Sequence, residues 1–355
     1  MRRTLNLQPP VNPYIAGNPI TGTEMFYGRE DVFSFIQRNL IGLHGDTPVV
    51  LYGQRRTGKT SVLYQLHRHL DPTYRCVFMD LHGLNLDGMG NLMLGIANSI
   101  SQGLQRDYQL TVTVPDRALF LADPKSTFEA IFLYDALSAL GRDHLVLMLD
   151  ELVRLDEEVR LGHIEREVFD FLRHLMQHHA RLNFIFSLGS SLEEMEKEYA
   201  FVFNVALYHR ISFLESAAAQ DLILQPVKDH YRVAPEAVER ILQVTSGHPY
   251  YTQLVCHCLF DLWLRSPKPV MSADDVDWIC AHQANLRIID QVTSRLRVPQ
   301  EKVLINIDRV GNTSSASIPI LIDENFRSGK IAKGDTVLMC ALGAGISWGS
   351  ALVRM

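Results

Sequence analysis

The sequence predicts an α/β protein, a doubly wound parallel sheet with a phosphate-binding loop at one edge and a helical lid after it. Three observations carry that prediction. Residues 49–61 read Val-Val-Leu-Tyr-Gly-Gln-Arg-Arg-Thr-Gly-Lys-Thr-Ser, an apolar strand running into glycine, four residues, then glycine, lysine and threonine. Residues 144–151 read His-Leu-Val-Leu-Met-Leu-Asp-Glu, an unbroken apolar run of the kind buried on both faces of a parallel sheet, closing on two carboxylates. Around these, short β-rich runs alternate with helix-period segments, the pattern that lays helices on both faces of a parallel sheet.

Taken in order, residues 1–23 are rich in Pro and Asn and read as an extended arm. Phe26-Tyr27-Gly28-Arg29-Glu30 then opens an amphipathic helix over 31–40. In the loop after the first strand, Gly53 and Gly58 let the backbone fold around a polyphosphate, so that successive N–H groups and the next helix's N-terminus face the anionic oxygens. Lys59 supplies countercharge, and Thr60 places a hydroxyl where the magnesium of a nucleoside triphosphate must be held. Ser61, with Val62, Leu63 and Leu66, begins a helix packed on the sheet.

Further strands are expected at 75–80 and 183–188, with helices near 92–104, 128–140 and 165–179. Ligands of open α/β sheets bind at the C-terminal strand edge, where Asp150 is placed to hold magnesium through water and Glu151 to polarise an attacking water. The competing reading of Glu151 is a solvated helix start, since acids favour first helical turns. Ser187 or Ser190 is positioned to sense a terminal phosphate, and Ser190 equally to cap a helix over 192–198. A helical region begins near 217, with helices over 235–245 and 249–264 separated by Ser246-Gly247-His248-Pro249.

The 355 residues suffice for two or three domains, and 47% hydrophobic with 21% charged residues describes an ordinary globular chain. A net charge of −6 gives no global attraction for nucleic acid or an anionic membrane surface, so a nucleic-acid partner is disfavoured. The 5 cysteines sit mostly in apolar runs, which suits reduced core thiols better than a disulfide framework. Cys256-His257-Cys258 points its side chains to different sides of one helix and has no second cluster to complete a metal site, so core packing is expected. No apolar window has the length of a signal peptide or membrane span, and the expected location is the cytoplasm.

The phosphate loop, the Asp150-Glu151 pair, Tyr27-Gly28-Arg29-Glu30 and Gly247-His248-Pro249-Tyr250-Tyr251 together resemble the STAND branch of AAA-like ATPases over residues 10–270. The resemblance implies ATP and Mg2+ as ligands. It also implies that the opening motif and the Gly-x-Pro turn cradle adenine, which assigns Tyr27, Gly28, Arg29 and Pro249 to the base, and that Arg210 reports on the phosphates. A solvated or carboxylate-paired side chain is the alternative for Arg210.

From about residue 274 the chain resembles another family, the C-terminal part of β-ketoacyl-acyl-carrier-protein synthase III, of thiolase fold. The match lies in Asp277-Trp278-Ile279-Cys280-Ala281-His282-Gln283-Ala284-Asn285-Leu286-Arg287, in Asp308-Arg309-Val310-Gly311-Asn312-Thr313-Ser314, and in Gly343-Ala344-Gly345-Ile346-Ser347-Trp348-Gly349. His282 and Asn312 occupy the positions that, in intact synthases, hydrogen-bond a thioester carbonyl and stabilise the enolate left by decarboxylation. The family's nucleophilic cysteine lies in the preceding half of the fold, which nothing before residue 274 resembles, so no cysteine here takes that role. Asn285 and Gln283 read as caps.

The expected organisation is an arm at 1–23, a P-loop ATPase domain at 24–212, a helical lid at 213–270 and a partial thiolase-fold α/β segment at 271–355, with residues 267–276 as the joint. That last segment offers about a strand, a helix, a strand, a helix and two final strands, which leaves apolar faces for the lid, a second copy of the chain or a separate protein to cover. The leading functional expectation is an ATP-dependent switch that hydrolyses slowly. The alternatives are acyl-chain condensation, against which the missing nucleophile argues, and a DNA-associated ATPase.

Overall fold

Five apolar runs become the strands of a parallel sheet, β1 (Val49–Tyr52), β2 (Tyr74–Asp80), β3 (His144–Asp150), β4 (Leu182–Leu188) and β5 (Leu207–Arg210), in the order β2-β3-β4-β1-β5. These come from a computed structural model, which describes residues 10–41, 47–189, 206–265, 270–271, 276–283, 285–286, 289–290, 299–343 and 347–355. The expectations at Ser190, over 192–198, over most of the joint at 267–276 and at 344–346 lie outside the described residues. The chain divides into two compact units, one of Pro19–Thr23 and Arg29–Ser212, the other of Met1–Asn18, Glu24–Gly28 and Phe213–Met355.

In the sheet unit, β4 is buried along its whole length and β3 at every residue after His144, as continuous hydrophobic runs require. The register sets Asp80 beside Asp150 and Tyr52 beside both Leu188 and Arg210, so the strands end along one edge. The helix Met89–Tyr108 buries Leu92, Met93, Ile96, Ala97, Ile100 and Leu104, a helix-period stripe facing the sheet. Gly103 lies on the same stripe because an added Cβ would come within 3.0 Å of the Val77 side chain. The helix Glu167–His178 buries Phe169, Leu172, Leu175 and Met176 in the same way.

Where the sequence predicts one helix over 128–140, the structure opens with a π-helical stretch, Thr127–Leu133, before the α-helix Tyr134–Ala139. Phe128, Phe132 and Leu133 of this stretch are buried in the core. Helices at Arg117–Ala122 and Val153–Arg160 and the strand β5 are additional to the sequence reading.

In the other unit, helices Ser216–Leu224, Pro235–Thr245 and Pro249–Arg265 follow the expected bounds closely. Arm residues fasten to them. The Tyr14 hydroxyl donates to the Ile223 carbonyl at 2.6 Å, and the Asn12 amide donates to Asp261 Oδ1 at 2.7 Å. A short parallel pair, β6 (Arg232–Val233) and β7 (Val270–Met271), lies in this unit as well. The remaining strands β8 (Trp278–Ala281), β9 (Val303–Leu304), β10 (Thr336–Gly343) and β11 (Ser347–Arg354) form a sheet ordered β11-β10-β8-β9, antiparallel only between β10 and β11. Leu321 of the helix Ser317–Arg327 packs with Cys280, Leu304, Ile331 and Val337 into a small core, and the helix Pro249–Arg265 contacts β11.

Candidate functional site

The loop after β1 is shaped by its own carbonyl groups. Thr57, almost wholly buried, donates its hydroxyl to the Gln54 carbonyl at 2.9 Å, and Arg56 takes a left-handed φ of 63°. Gly53 is required by close approach, since an added Cβ would lie 2.2 Å from the Ile211 carbonyl oxygen. Gly53 also has a positive φ of 155°, whereas Gly58, with a φ of 97° and nothing within 4 Å of the added Cβ, is required by conformation alone. Lys59, only 4% exposed, donates to the carbonyls of Gly53 at 3.1 Å and Gln54 at 2.9 Å. Burial pulls its ammonium below the usual lysine range, the charges of Glu151 and Asp150 oppose that shift, and Arg55 adds to it.

Beneath the loop the Asp150 carboxylate is shared between two hydroxyls. Thr60 Oγ1 donates to its Oδ2 at 2.6 Å, and Ser187 Oγ, fully buried at the end of β4, donates to its Oδ1. The parallel pairing of β3 with β4 brings Ser187 here. Ser187 also accepts the Glu151 N–H at 3.4 Å, and its carbonyl accepts the Leu152 N–H at 3.1 Å. These bonds hold Glu151 at a left-handed φ of 57°, outside any helix, which starts only at Val153. Glu151 thus lies two residues before the helix Val153–Arg160, its carbonyl accepting the Arg154 N–H at 2.9 Å, and Ser187 engages the Asp150 carboxylate.

The other predicted residues are placed as follows. The buried hydroxyl of Ser61 accepts the Ile20 N–H at 2.9 Å. Arg210 ends β5, exposed, level with Tyr52. Arg29 has a φ of 79°, and one terminal nitrogen of its guanidinium donates to the carbonyls of Thr57 and Ser212, each at 2.8 Å. Burial lowers its pKa, with Asp31 opposing. Neither that engagement nor Thr57's inward hydroxyl has a signal in the sequence. In the other unit Gly28 has a φ of 71°, burial and the Asp221 charge raise the Tyr27 phenol, and Pro249 opens its helix. Gly247 there allows a close pass, since an added Cβ would lie 2.6 Å from the Leu214 carbonyl oxygen.

In the C-terminal sheet His282 lies just past β8, its Nδ1 hydrogen-bonded to Ser317 Oγ and its N–H donating to the Cys340 carbonyl at 2.6 Å. Asn312 is exposed and its Oδ1 accepts the Ser314 N–H at 2.9 Å. Gln283 is fully buried and its Oε1 accepts the N–H groups of Asn306 at 3.1 Å and Ile307 at 3.2 Å, a cap on the short helix Ile307–Val310. Burial pushes the thiols of Cys76, Cys256, Cys280 and Cys340 up to about 12, with Cys340 adding to the shift at Cys280, so none has the depressed pKa of a nucleophilic thiolate. Among the described residues no group of three or more His, Cys, Asp or Glu is arranged to hold a metal, and no helix is long and apolar enough to cross a membrane.

Comparison with known proteins follows the two halves of this geometry. A family model for the AAA domain matches residues 43–196, and one for the 3-oxoacyl-[acyl-carrier-protein] synthase III C terminal matches residues 268–355. The chain is 49% identical over 88 residues to a β-ketoacyl-[acyl-carrier-protein] synthase III of Coxiella burnetii, covering 25% of this chain and 28% of that protein. To the same-named protein of Rhodopirellula baltica it is 52% identical over 84 residues, 24% of each. The chain thus spans about a quarter of the length of these relatives. A solved Walker-type ATPase of Pyrococcus abyssi shares the fold with a TM-score of 0.54 at 14% identity, over 94% of this chain and 96% of that one. The chain therefore joins an AAA domain of P-loop ATPase fold to a C-terminal domain of the synthase III family.

Proposed function

We propose that the chain is an ATP-dependent switch of the STAND type, in which the loop over 53–60 grips Mg-ATP and slow hydrolysis resets the protein. The observation that carries this reading is the single buried Asp150 carboxylate shared by the Thr60 and Ser187 hydroxyls directly under the phosphate loop. A carboxylate oxygen and a hydroxyl 2.6 Å apart are the hard oxygen donors magnesium takes, so Thr60 and Asp150 fit it. Bound there, the ion would neutralise the charge that develops as the terminal phosphoryl leaves.

The protein's own residues do the rest. Loop amides and the N-terminus of the helix Lys59–Gln65 meet the phosphate oxygens, and the Lys59 ammonium exchanges its bonds to Gly53 and Gln54 for bonds to phosphate. Glu151, turned out of the strand by its left-handed backbone, accepts a proton from the attacking water. Tyr27, Gly28 and Pro249 are assigned to adenine and Arg210 to the phosphates through the family resemblance; Arg29, which the same resemblance gives to adenine, instead has its guanidinium on the Thr57 and Ser212 carbonyls, and a protein partner or a second copy is assigned to the C-terminal segment. A cytoplasmic location fits such a switch. Turnover assays on the full chain test the mechanism. Glu151→Gln is expected to keep ATP binding and lose at least ~100-fold in turnover, and unchanged turnover would reject the assignment.

A second reading has one observation in its favour, the His282–Ser317 hydrogen bond, which holds the imidazole in place just past β8. Residual malonyl-thioester decarboxylation by His282 and Asn312 is its content. Incubation with malonyl carrier protein is expected to give no acetyl product, and acetyl carrier protein lost on His282→Ala would establish it.

A further inference from the structure

The phosphate loop is fastened at three successive points to the segment that leaves the sheet. The Ile211 N–H donates to the Tyr52 carbonyl at 2.7 Å, Gly53 lies against the Ile211 carbonyl with no room for a methyl group, and Arg29 joins the Thr57 carbonyl to that of Ser212. Both hydrogens of one guanidinium nitrogen are used in that last link, so the two carbonyls are held by a single rigid planar group. The link also sits where the chain changes units, since one crossing falls between Gly28 and Arg29 and another between Ser212 and Phe213.

We propose that Arg29 is a strut that passes nucleotide occupancy of the phosphate loop to the chain crossing at Ser212, making it the transmitting residue of the switch. The proposal rests on the nucleotide-binding reading above. Its chemistry is an exchange of hydrogen bonds. Lys59 now donates to the carbonyls of Gly53 and Gln54, and the Thr57 hydroxyl donates to that same Gln54 oxygen. A phosphate that draws Lys59 away leaves the Gln54 carbonyl to Thr57 alone, and any reorientation of Thr57 is felt by Arg29 through its carbonyl. Two rigid attachments to residues 211–212 then leave little freedom for the segment to stay behind.

The test is hydrogen exchange on the full chain, read over residues 207–214 with and without Mg-ATP at concentrations that saturate each protein, with binding followed separately by a fluorescent ATP analogue. In the unmodified protein ATP is expected to slow exchange of this segment at least about fivefold, and in Arg29→Ala less than about twofold. Should Arg29→Ala not fold, Arg29→Met keeps the aliphatic stem without the donors and carries the same comparison. Failure of the unmodified protein to bind the analogue overturns the nucleotide reading itself. Binding with an undiminished exchange response in the variants overturns the strut, and so does a folded variant that no attainable ATP concentration saturates, which would place Arg29 on the nucleotide.

Discussion

Both glycines of the phosphate loop have a positive φ and only Gly53 also meets a close approach, so Gly53→Ala compared with Gly58→Ala isolates that approach. At Gly53 the new methyl carbon would lie 2.2 Å from the Ile211 carbonyl oxygen, and that oxygen belongs to backbone whose N–H is already committed to Tyr52. Reaching ordinary contact needs a shift of about 1 Å in the loop or in β5's continuation, and overpacking of that kind costs about 1–3 kcal/mol. At Gly58 nothing stands within 4 Å, so the cost is that of a left-handed backbone alone, about 1–2 kcal/mol. For a unit of this size 1 kcal/mol lowers Tm by about 2–4 °C, so Gly53→Ala at about 2 kcal/mol is expected to melt roughly 4–8 °C lower.

The more decisive readout is function. A displacement near 1 Å misaims every loop amide at once, and ATP affinity in Gly53→Ala is expected to fall on the order of 100-fold. Thermal unfolding and ATP titration of both variants provide the assay. A Gly53→Ala protein that melts within a degree of the unmodified one and binds ATP equally well would refute the close-approach argument, as would a clearly worse Gly58→Ala.

Asp150→Asn keeps a similar shape but loses the charge that suits a divalent cation, and turnover is expected to fall at least ~100-fold and to stop responding to added magnesium. The thiols raised by burial predict slow alkylation: iodoacetamide at neutral pH is expected to leave the buried Cys76, Cys256 and Cys280 largely unmodified in the folded chain, by mass spectrometry, and rapid labelling of any would contradict their burial. Glu129 accepts hydrogen bonds from His174 at 2.9 Å and His179 at 2.8 Å; burial alone would raise its carboxyl, and these bonds hold it below the usual range instead. A depressed folded-state pKa contributes stability above the unfolded value that is lost as pH falls through the folded one, so the Tm advantage over Glu129→Gln is expected to be full above about pH 5 and to shrink below about pH 4.

The strands the sequence showed best are those buried on both faces. β3 and β4, buried over nearly their whole length, lie within a residue of their expected bounds, and so does the less buried edge strand β2, whose Cys76-Val77-Phe78-Met79 run is apolar. β5 is a partly buried edge strand of four residues, Leu207-Tyr208-His209-Arg210, with no such run. The π-helical stretch at Thr127–Leu133 has the composition of an α-helix, and nothing local in its sequence marks the wider turn.

The candidate site divides along the same line. Gly53, Gly58, Lys59, Thr60, Asp150 and Glu151 were legible because strand, loop spacing and terminal carboxylates are local patterns. Ser187 at Asp150 depends on register between strands 37 residues apart in the chain, and the Arg29 link joins segments 183 residues apart. No periodicity records contacts at that separation. The Ser61 hydrogen bond to Ile20, 41 residues away, is likewise unmarked in the sequence.

The claim on which the account turns is that the loop over 53–60 grips a triphosphate through Lys59. Titration calorimetry of the full chain with ATP in magnesium buffer, run beside Lys59→Ala, measures it directly. Saturable heat at one nucleotide per chain in the unmodified protein and none in the variant is the predicted result. An absence of heat from well-folded unmodified protein, or equal heat from both, would contradict it.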